Sequence, residues 1–127
     1  MISANELRIG NWVNQRNRKY VGKSLYPFKV RIQDLKYLEG KTTFKERTEG
    51  IPLTPEILEK AGFEKVREES CEIDLDHFRI SYDGQTFLLY DNDFGPGSGV
   101  LLFHIKYLHQ LQNLYFALTG QELNIEL

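Results

Sequence analysis

One stretch, Ile105 to Gly120 (IKYLHQLQNLYFALTG), constrains this chain more than any other. At 100° per residue around a helix axis, Tyr107, Leu108, Leu111, Leu114, Tyr115 and Leu118 fall in one arc of about 120°, wide enough to face a core. Lys106, Gln110, Asn113 and Ala117 lie opposite. Gly120 stands where a helix favours a left-handed C-cap residue without a Cβ. Ile105 and Phe116 fall at one edge of the apolar arc, beside His109 and Gln112. That second, mixed face reads as a widened core contact or, where nothing in the chain covers it, as the docking surface of a second subunit. Ile105, His109, Gln112 and Phe116 are therefore the oligomer-interface candidates.

The rest of the chain offers short elements that must pack around such a helix. In LRIGNWVN (7–14), Gly10 interrupts an alternation of Leu7, Ile9 and Val13, which suggests a strand with a bulge or sharp bend. QRNRK (15–19) reads as a basic hairpin loop. KYVGKS, PFKVRIQDL and KTTFKERT are strand candidates, and FKVRI alternates as a half-buried strand does. Several short strands over residues 1–50 predict a small curled β-sheet or an SH3-like barrel. Gly50-Ile51-Pro52 marks a boundary to a second lobe, 51–127.

That lobe opens with LTPEILEKAGF, a helix with Thr54 as N-cap, Pro55 at its first position and Gly62 past its end. An edge strand and an exposed turn are expected over 63–73. HFRISY and QTFLLY flank Asp83-Gly84, the signature of a two-residue type I′ hairpin. The expected pairs are Tyr82 with Gln85, Ile80 with Phe87 and Phe78 with Leu89, placing Phe78, Ile80, Phe87 and Leu89 on one apolar face. After an irregular loop, 91–99, VLLFH reads as a strand, and GQELNIEL as a short final strand. The fold class is α+β: the small curled sheet or barrel, then a helix, an antiparallel hairpin and strand, and the long C-terminal helix packed on the sheet.

The charge is unevenly divided. Residues 1–50 carry eleven Lys and Arg against five Asp and Glu, a net +6, which leaves −8 for the remainder of a chain whose total is −2. A basic lobe can attract nucleic acid, a nucleotide or an acidic protein, or it can steer its acidic neighbour. The candidate ligand- or nucleic-acid-binding residues are Trp12, Arg16, Arg18, Lys19, Tyr20, Lys29 and Arg31, with Ser98 in the glycine-rich loop. No run of ~18 apolar residues could span a membrane. With Cys71 the sole cysteine, no intrachain disulfide can form, and a cytoplasmic setting is expected.

Catalytic and metal chemistry find little footing. As an EF-hand, the loop from Asp91 has Gly95 and Leu102 where ligands are needed; as a phosphate cradle, GPGSG lacks the following Gly-Lys-Ser/Thr. His104 and His109 would stand about 140° apart on a continuous helix, unlike an i, i+4 ligand pair. His77, Cys71 and Asp76 have ligand types without ligand spacing. The acid pairs Asp74/Asp76 and Asp91/Asp93 read as solvated strand ends. No cofactor or metal is expected, and an enzyme using the Asp91–Gly99 loop is the least favoured reading.

NELRIGNWV, IPLTPEILEKAGFEK and IKYLHQLQNLYFALTGQEL together resemble a group of small uncharacterised proteins common in phages and prophages of Bacteroides and related gut bacteria. The resemblance spans almost the whole chain and brings no catalytic residues with it. It implies a non-catalytic binding protein acting in a host-cell cytoplasm. The expected activity is to sequester a small anionic nucleotide-like ligand or a host defence factor, or alternatively to bind nucleic acid as an accessory protein through the basic lobe. Homo-oligomers are compatible with either.

Overall fold

The computed structural model describes residues 6–16, 25–39, 48–93, 99–102 and 104–127. They fall into two units, one built from the chain up to Pro52 with Tyr107–Asn113, the other from Leu53–Lys106 with Leu114–Leu127. The class is α+β, with antiparallel sheets and a C-terminal helix.

The first unit holds a three-stranded antiparallel sheet in the order β2-β1-β3, with β1 at Trp12–Arg16, β2 at Leu25–Lys29 and β3 at Thr48–Gly50. Central β1 sets Val13 opposite Phe28 on one side and Gly50 on the other. Val13, Leu7 and Val30 form a buried cluster, with Phe28 and Leu35 against it. The bend expected at Gly10 is present as a turn at φ +92, a region that costs a residue without Cβ nothing. The Gly10 amide donates to the Val30 carbonyl at 2.8 Å, and β1 starts only at Trp12.

Two expectations for this unit are corrected. Among the described residues the sheet does not close into an SH3-like barrel. The strand predicted across PFKVRIQDL stops at Lys29 and gives way to helix α1, Ile32–Glu39. The cause is local: the Asp34 carboxylate accepts the Arg31 backbone N–H at 2.9 Å, closing the first turn as the third residue of a capping box does. Ile32, which alternation would turn inward, is 71% exposed. Of the remaining strand candidates, KYVGKS lies outside the described residues, as does KTTFKERT up to residue 47, its last residue, Thr48, opening β3.

The second unit begins with α2, Pro55–Lys60, where the Thr54 hydroxyl accepts the Ile57 amide at 3.3 Å. Leu58 of this helix is fully buried, and Gly62 follows at φ +100. A five-stranded antiparallel meander comes next: β4 Glu64–Lys65, β5 Cys71–Asp74, β6 Phe78–Tyr82, β7 Phe87–Asp91 and β8 Val100–Leu102, hydrogen-bonded in chain order.

The β6–β7 register differs from the predicted one by two residues. Tyr82 faces Phe87, Ile80 faces Leu89 and Phe78 faces Asp91, so the connection is four residues long. Asp83 decides this. Its carboxylate accepts the amides of Gln85 (2.9 Å) and Thr86 (2.8 Å) and the Thr86 hydroxyl (3.0 Å), an arrangement a two-residue turn cannot hold. These same bonds, the Thr86 amide first, hold the Asp83 carboxyl below its ordinary range. Because the shift is by two, Phe78, Ile80, Phe87 and Leu89 keep one face, as the period of a strand requires. Asp83→Ala is expected to lower stability by about 1 kcal/mol in urea titrations with the m-value unchanged.

Helix α3 runs from Leu108 to Thr119, starting three residues later than the sequence suggests. Its entry is held by a bridge between Pro52 and Tyr107, by the Leu108 amide on the Ile51 carbonyl (2.8 Å) and by the Gln110 side chain, which accepts the Tyr107 amide (3.1 Å). It ends as expected: Gly120, at φ +73, donates to the Phe116 carbonyl. Residues 108–113 belong to the first unit and 114–119 to the second. The predicted final strand is absent from 122–127, although Leu123 and Ile125 are buried. Among the described residues no helix is long and apolar enough to cross a membrane.

Candidate functional site

The basic candidates sit on and beside the β1–β2 hairpin. Trp12 opens β1 and pairs in register with Lys29, which ends β2. The Lys29 ammonium lies 5.4 Å from the centre of the indole, a cation–π arrangement. The indole itself is only 7% exposed, so it supports the hairpin and cannot act as an open stacking platform in this conformation. Arg16 ends β1. Arg31, 66% exposed in its side chain, grips the nearly buried Asp34 through Nε (3.1 Å) and a terminal nitrogen (3.3 Å). Those hydrogen bonds, with the carboxylate's charge, push the guanidinium pKa higher. Arg31 thus displays its charge beside a built-in counter-charge. Arg18, Lys19, Tyr20 and Ser98 lie outside the described residues, as does most of the Asp91–Gly99 loop.

A polar layer that hydrophobic patterning misses ties the same unit together. The Gln112 carbonyl oxygen, Oε1, accepts the Trp12 amide (2.8 Å) and a longer bond from Asn11 Nδ2 (3.5 Å), while its Nε2 donates to the Gly10 carbonyl (3.3 Å). Asn113 Oδ1 accepts from Arg8 Nε (2.8 Å) and Asn11 Nδ2 (3.0 Å), and Asn113 Nδ2 donates to the Glu6 carbonyl (2.8 Å). The second Arg8 arm reaches the Gln112 carbonyl at 3.1 Å. Asn11 and Gln112 are buried, and buried amides persist where nearly every donor and acceptor is matched.

The docking face drawn from the helical wheel is corrected here. Ile105, His109 and Gln112 are buried by the chain itself, and of the four candidates Phe116 alone is at the surface, 40% exposed. His109 is 1% exposed and stacks on Tyr107 with the rings 5.9 Å apart and nearly parallel. Among the described residues neither ring nitrogen has a hydrogen bond, and the Glu6 carboxylate lies 3.7 Å from Nε2. Burial lowers the imidazole's pKa, an effect that Glu6 opposes without reversing.

In the second unit, the acid pairs are occupied in turns. Asp74 Oδ1 accepts the Asp76 amide (3.0 Å) and Asn92 Nδ2 (3.1 Å), and Asp91 Oδ1 accepts the Asp93 amide (2.9 Å). His77 Nδ1 lies 3.1 Å from Asp93 Oδ2. Cys71 is at the far end of β5 from this turn, and burial, with the charge of Glu59, pushes its thiol pKa up, the opposite of what a nucleophile needs. Among the described residues no three His, Cys, Asp or Glu side chains are grouped to hold a metal ion. No family model, curated protein or solved structure matches the chain.

Proposed function

We propose that this chain is a non-catalytic binding protein whose basic N-terminal unit engages nucleic acid. The observation that carries the reading is the placement of its charge. A surplus of +6 in the first fifty residues accompanies an open sheet, with Lys29 and Arg31 exposed beside the β1–β2 hairpin. An extended polyanion can follow such a surface, whereas a single nucleotide needs polar groups converging in a pocket and an aromatic face to stack on. Trp12, the one tryptophan, is covered, which weighs against the small-ligand reading. The resemblance to phage and prophage proteins fits a small protein that acts by occupancy in a host cytoplasm.

The test is fluorescence anisotropy with labelled single- and double-stranded oligonucleotides over a salt series. Binding is expected to weaken linearly in log–log form, by roughly 0.7–0.9 of a slope unit per phosphate neutralised. Lys29→Glu should weaken binding to every sequence alike and reduce that slope by about 1. Absence of binding at low salt would remove the reading, and thermal stabilisation by mononucleotides without oligonucleotide binding would replace it with ligand capture.

A further inference from the structure

Residues 6–9 lie along the first two turns of α3 as a strap fastened by polar bonds. Asn113 Nδ2 donates to the Glu6 carbonyl at 2.8 Å, Arg8 Nε donates to Asn113 Oδ1 at 2.8 Å, and the second Arg8 arm reaches the Gln112 carbonyl at 3.1 Å. Leu7 is buried in the cluster with Val13 and Val30, whereas Ile9 is 52% exposed. The strap runs into β1 through a turn in which the Arg8 amide donates to Asn11 Oδ1 (2.6 Å) and the Asn11 amide to the Arg8 carbonyl (3.1 Å). Within that turn Gly10 and Asn11 together face Val30: the Gly10 amide donates to the Val30 carbonyl and the Val30 amide to the Asn11 carbonyl, both at 2.8 Å. Two residues opposite one, with the glycine at φ +92, make a bulge, and the glycine is a ready hinge between the strap and the paired strand.

Against Glu6 of this strap lies His109, buried and with neither ring nitrogen hydrogen-bonded among the described residues. Glu6 Oε2 stands 3.7 Å from Nε2, beyond hydrogen-bond reach. A neutral imidazole in this setting leaves one donor and one acceptor unmatched; an imidazolium would leave two donors unmatched and bury a charge. The surrounding groups do not remove that cost. Glu6 favours the cation and the N-terminal turn of α3 disfavours it, Tyr107 covers it with a nearly parallel ring, and Arg8, a like charge on the same strap, is turned onto Asn113 and the Gln112 carbonyl. Burial outweighs Glu6, so the ring takes a proton more readily once it meets water. The fastenings of the strap to α3 use a side chain at one end or both, so lifting it breaks no bond of the sheet ladder or of the helix.

We infer that the strap is a proton-operated latch: protonation of His109 lifts residues 6–9 off α3 about Gly10, while the sheet and the helix stay in place. Lifting gives the imidazolium N–H groups water to bond. It also draws Leu7 out of its cluster and turns the Arg8 guanidinium from Asn113 and Gln112 to solvent. The burial of Leu7 and the strap's own bonds hold the latch shut at neutral pH. The opening is local and precedes loss of the fold, because the pairing of β1 with β2 and β3 starts beyond the hinge.

Amide hydrogen exchange followed residue by residue by NMR, corrected for the intrinsic pH dependence of exchange, tests this from about pH 7.5 to 5.5. The Arg8 amide, bonded to Asn11 Oδ1, is the reporter. Its protection is expected to fall once the pH drops below 6.5, by up to about tenfold per pH unit, with β1 and α3 still protected and far-UV circular dichroism unchanged. His109→Leu should make that protection independent of pH, and Glu6→Gln should deepen the loss at each acidic pH. A reporter whose protection does not change with pH overturns the inference, as does a loss that persists in His109→Leu. A loss that appears only together with β1 and α3 overturns it too, since the whole unit would then be unfolding. Should His109→Leu not fold, Glu6→Gln decides, because protection equal to wild type at every pH would leave no role for the facing carboxylate and overturn the latch.

Discussion

Replacing Gln112 with leucine is expected to destabilise the protein by about 2–4 kcal/mol, although leucine is apolar, similar in size and favourable in a helix. The loss follows from what the amide does. It accepts the Trp12 amide, donates to the Gly10 carbonyl and touches Asn11, all in the buried layer between the start of β1 and the first half of α3. Leucine deletes those bonds and leaves their partners under protein where water cannot replace the lost acceptor. Urea titration gives the number, and a double-mutant cycle with Asn11→Ala should show a coupling of at least about 0.5 kcal/mol. A cost under about 0.5 kcal/mol with no coupling would mean that water enters the layer and the network holds little.

The second large effect is an acid-induced loss of stability centred on His109. Its imidazole is buried without a hydrogen bond, so the folded chain binds a proton less readily than the ordinary value of 6.5 implies. A depressed folded pKa means that the unfolded chain holds more protons once the pH drops below 6.5. Stability is therefore full above that value and falls as the pH declines toward the folded pKa, with a limiting slope of about 1.4 kcal/mol per pH unit for one proton. The groups facing His109 set the size. Glu6 favours the cation at 3.7 Å, whereas the N-terminal turn of α3, on which His109 sits, disfavours it. In melts from about pH 7.5 to 5, His109→Leu should flatten the profile and Glu6→Gln should steepen it. Identical profiles for wild type and His109→Leu would exclude this histidine as the titrating group. Asp83 contributes in the same direction, but in the carboxylate range at lower pH.

These two residues also show where sequence reading reaches its limit. The helical wheel finds Leu108 and Leu111, and both are fully buried. It assigns Tyr107 to the same face, yet Tyr107 is exposed, and it leaves His109 and Gln112 on a mixed edge that the fold buries. Hydrophobicity cannot signal a buried glutamine whose partners stand a hundred residues away in the chain. Similarly, the apolar face of the β6–β7 hairpin is legible from strand periodicity, while its register is set by an aspartate that hydrogen-bonds its own turn. Helix α1 is hidden because Val30 and Ile32 alternate like strand residues, and only the Arg31–Asp34 cap distinguishes them. The charge asymmetry is fully legible; the pairing of Arg31 with Asp34 and the covering of Trp12 are not, since both depend on tertiary placement.

The division of α3 between two units bears on how a ribosome delivers this protein. Synthesis is vectorial, and β1, β2 and β3 emerge long before Tyr107–Asn113, the segment that completes their unit. Until then Asn11 and the Trp12 amide lack Gln112, and the nascent sheet is left with an uncovered polar layer. The second unit also takes residues after 113, so neither half can finish before the last helix is released. Completion of both units thereby waits for the release of α3, and a nascent chain halted before Tyr107 should remain sensitive to protease across its N-terminal strands.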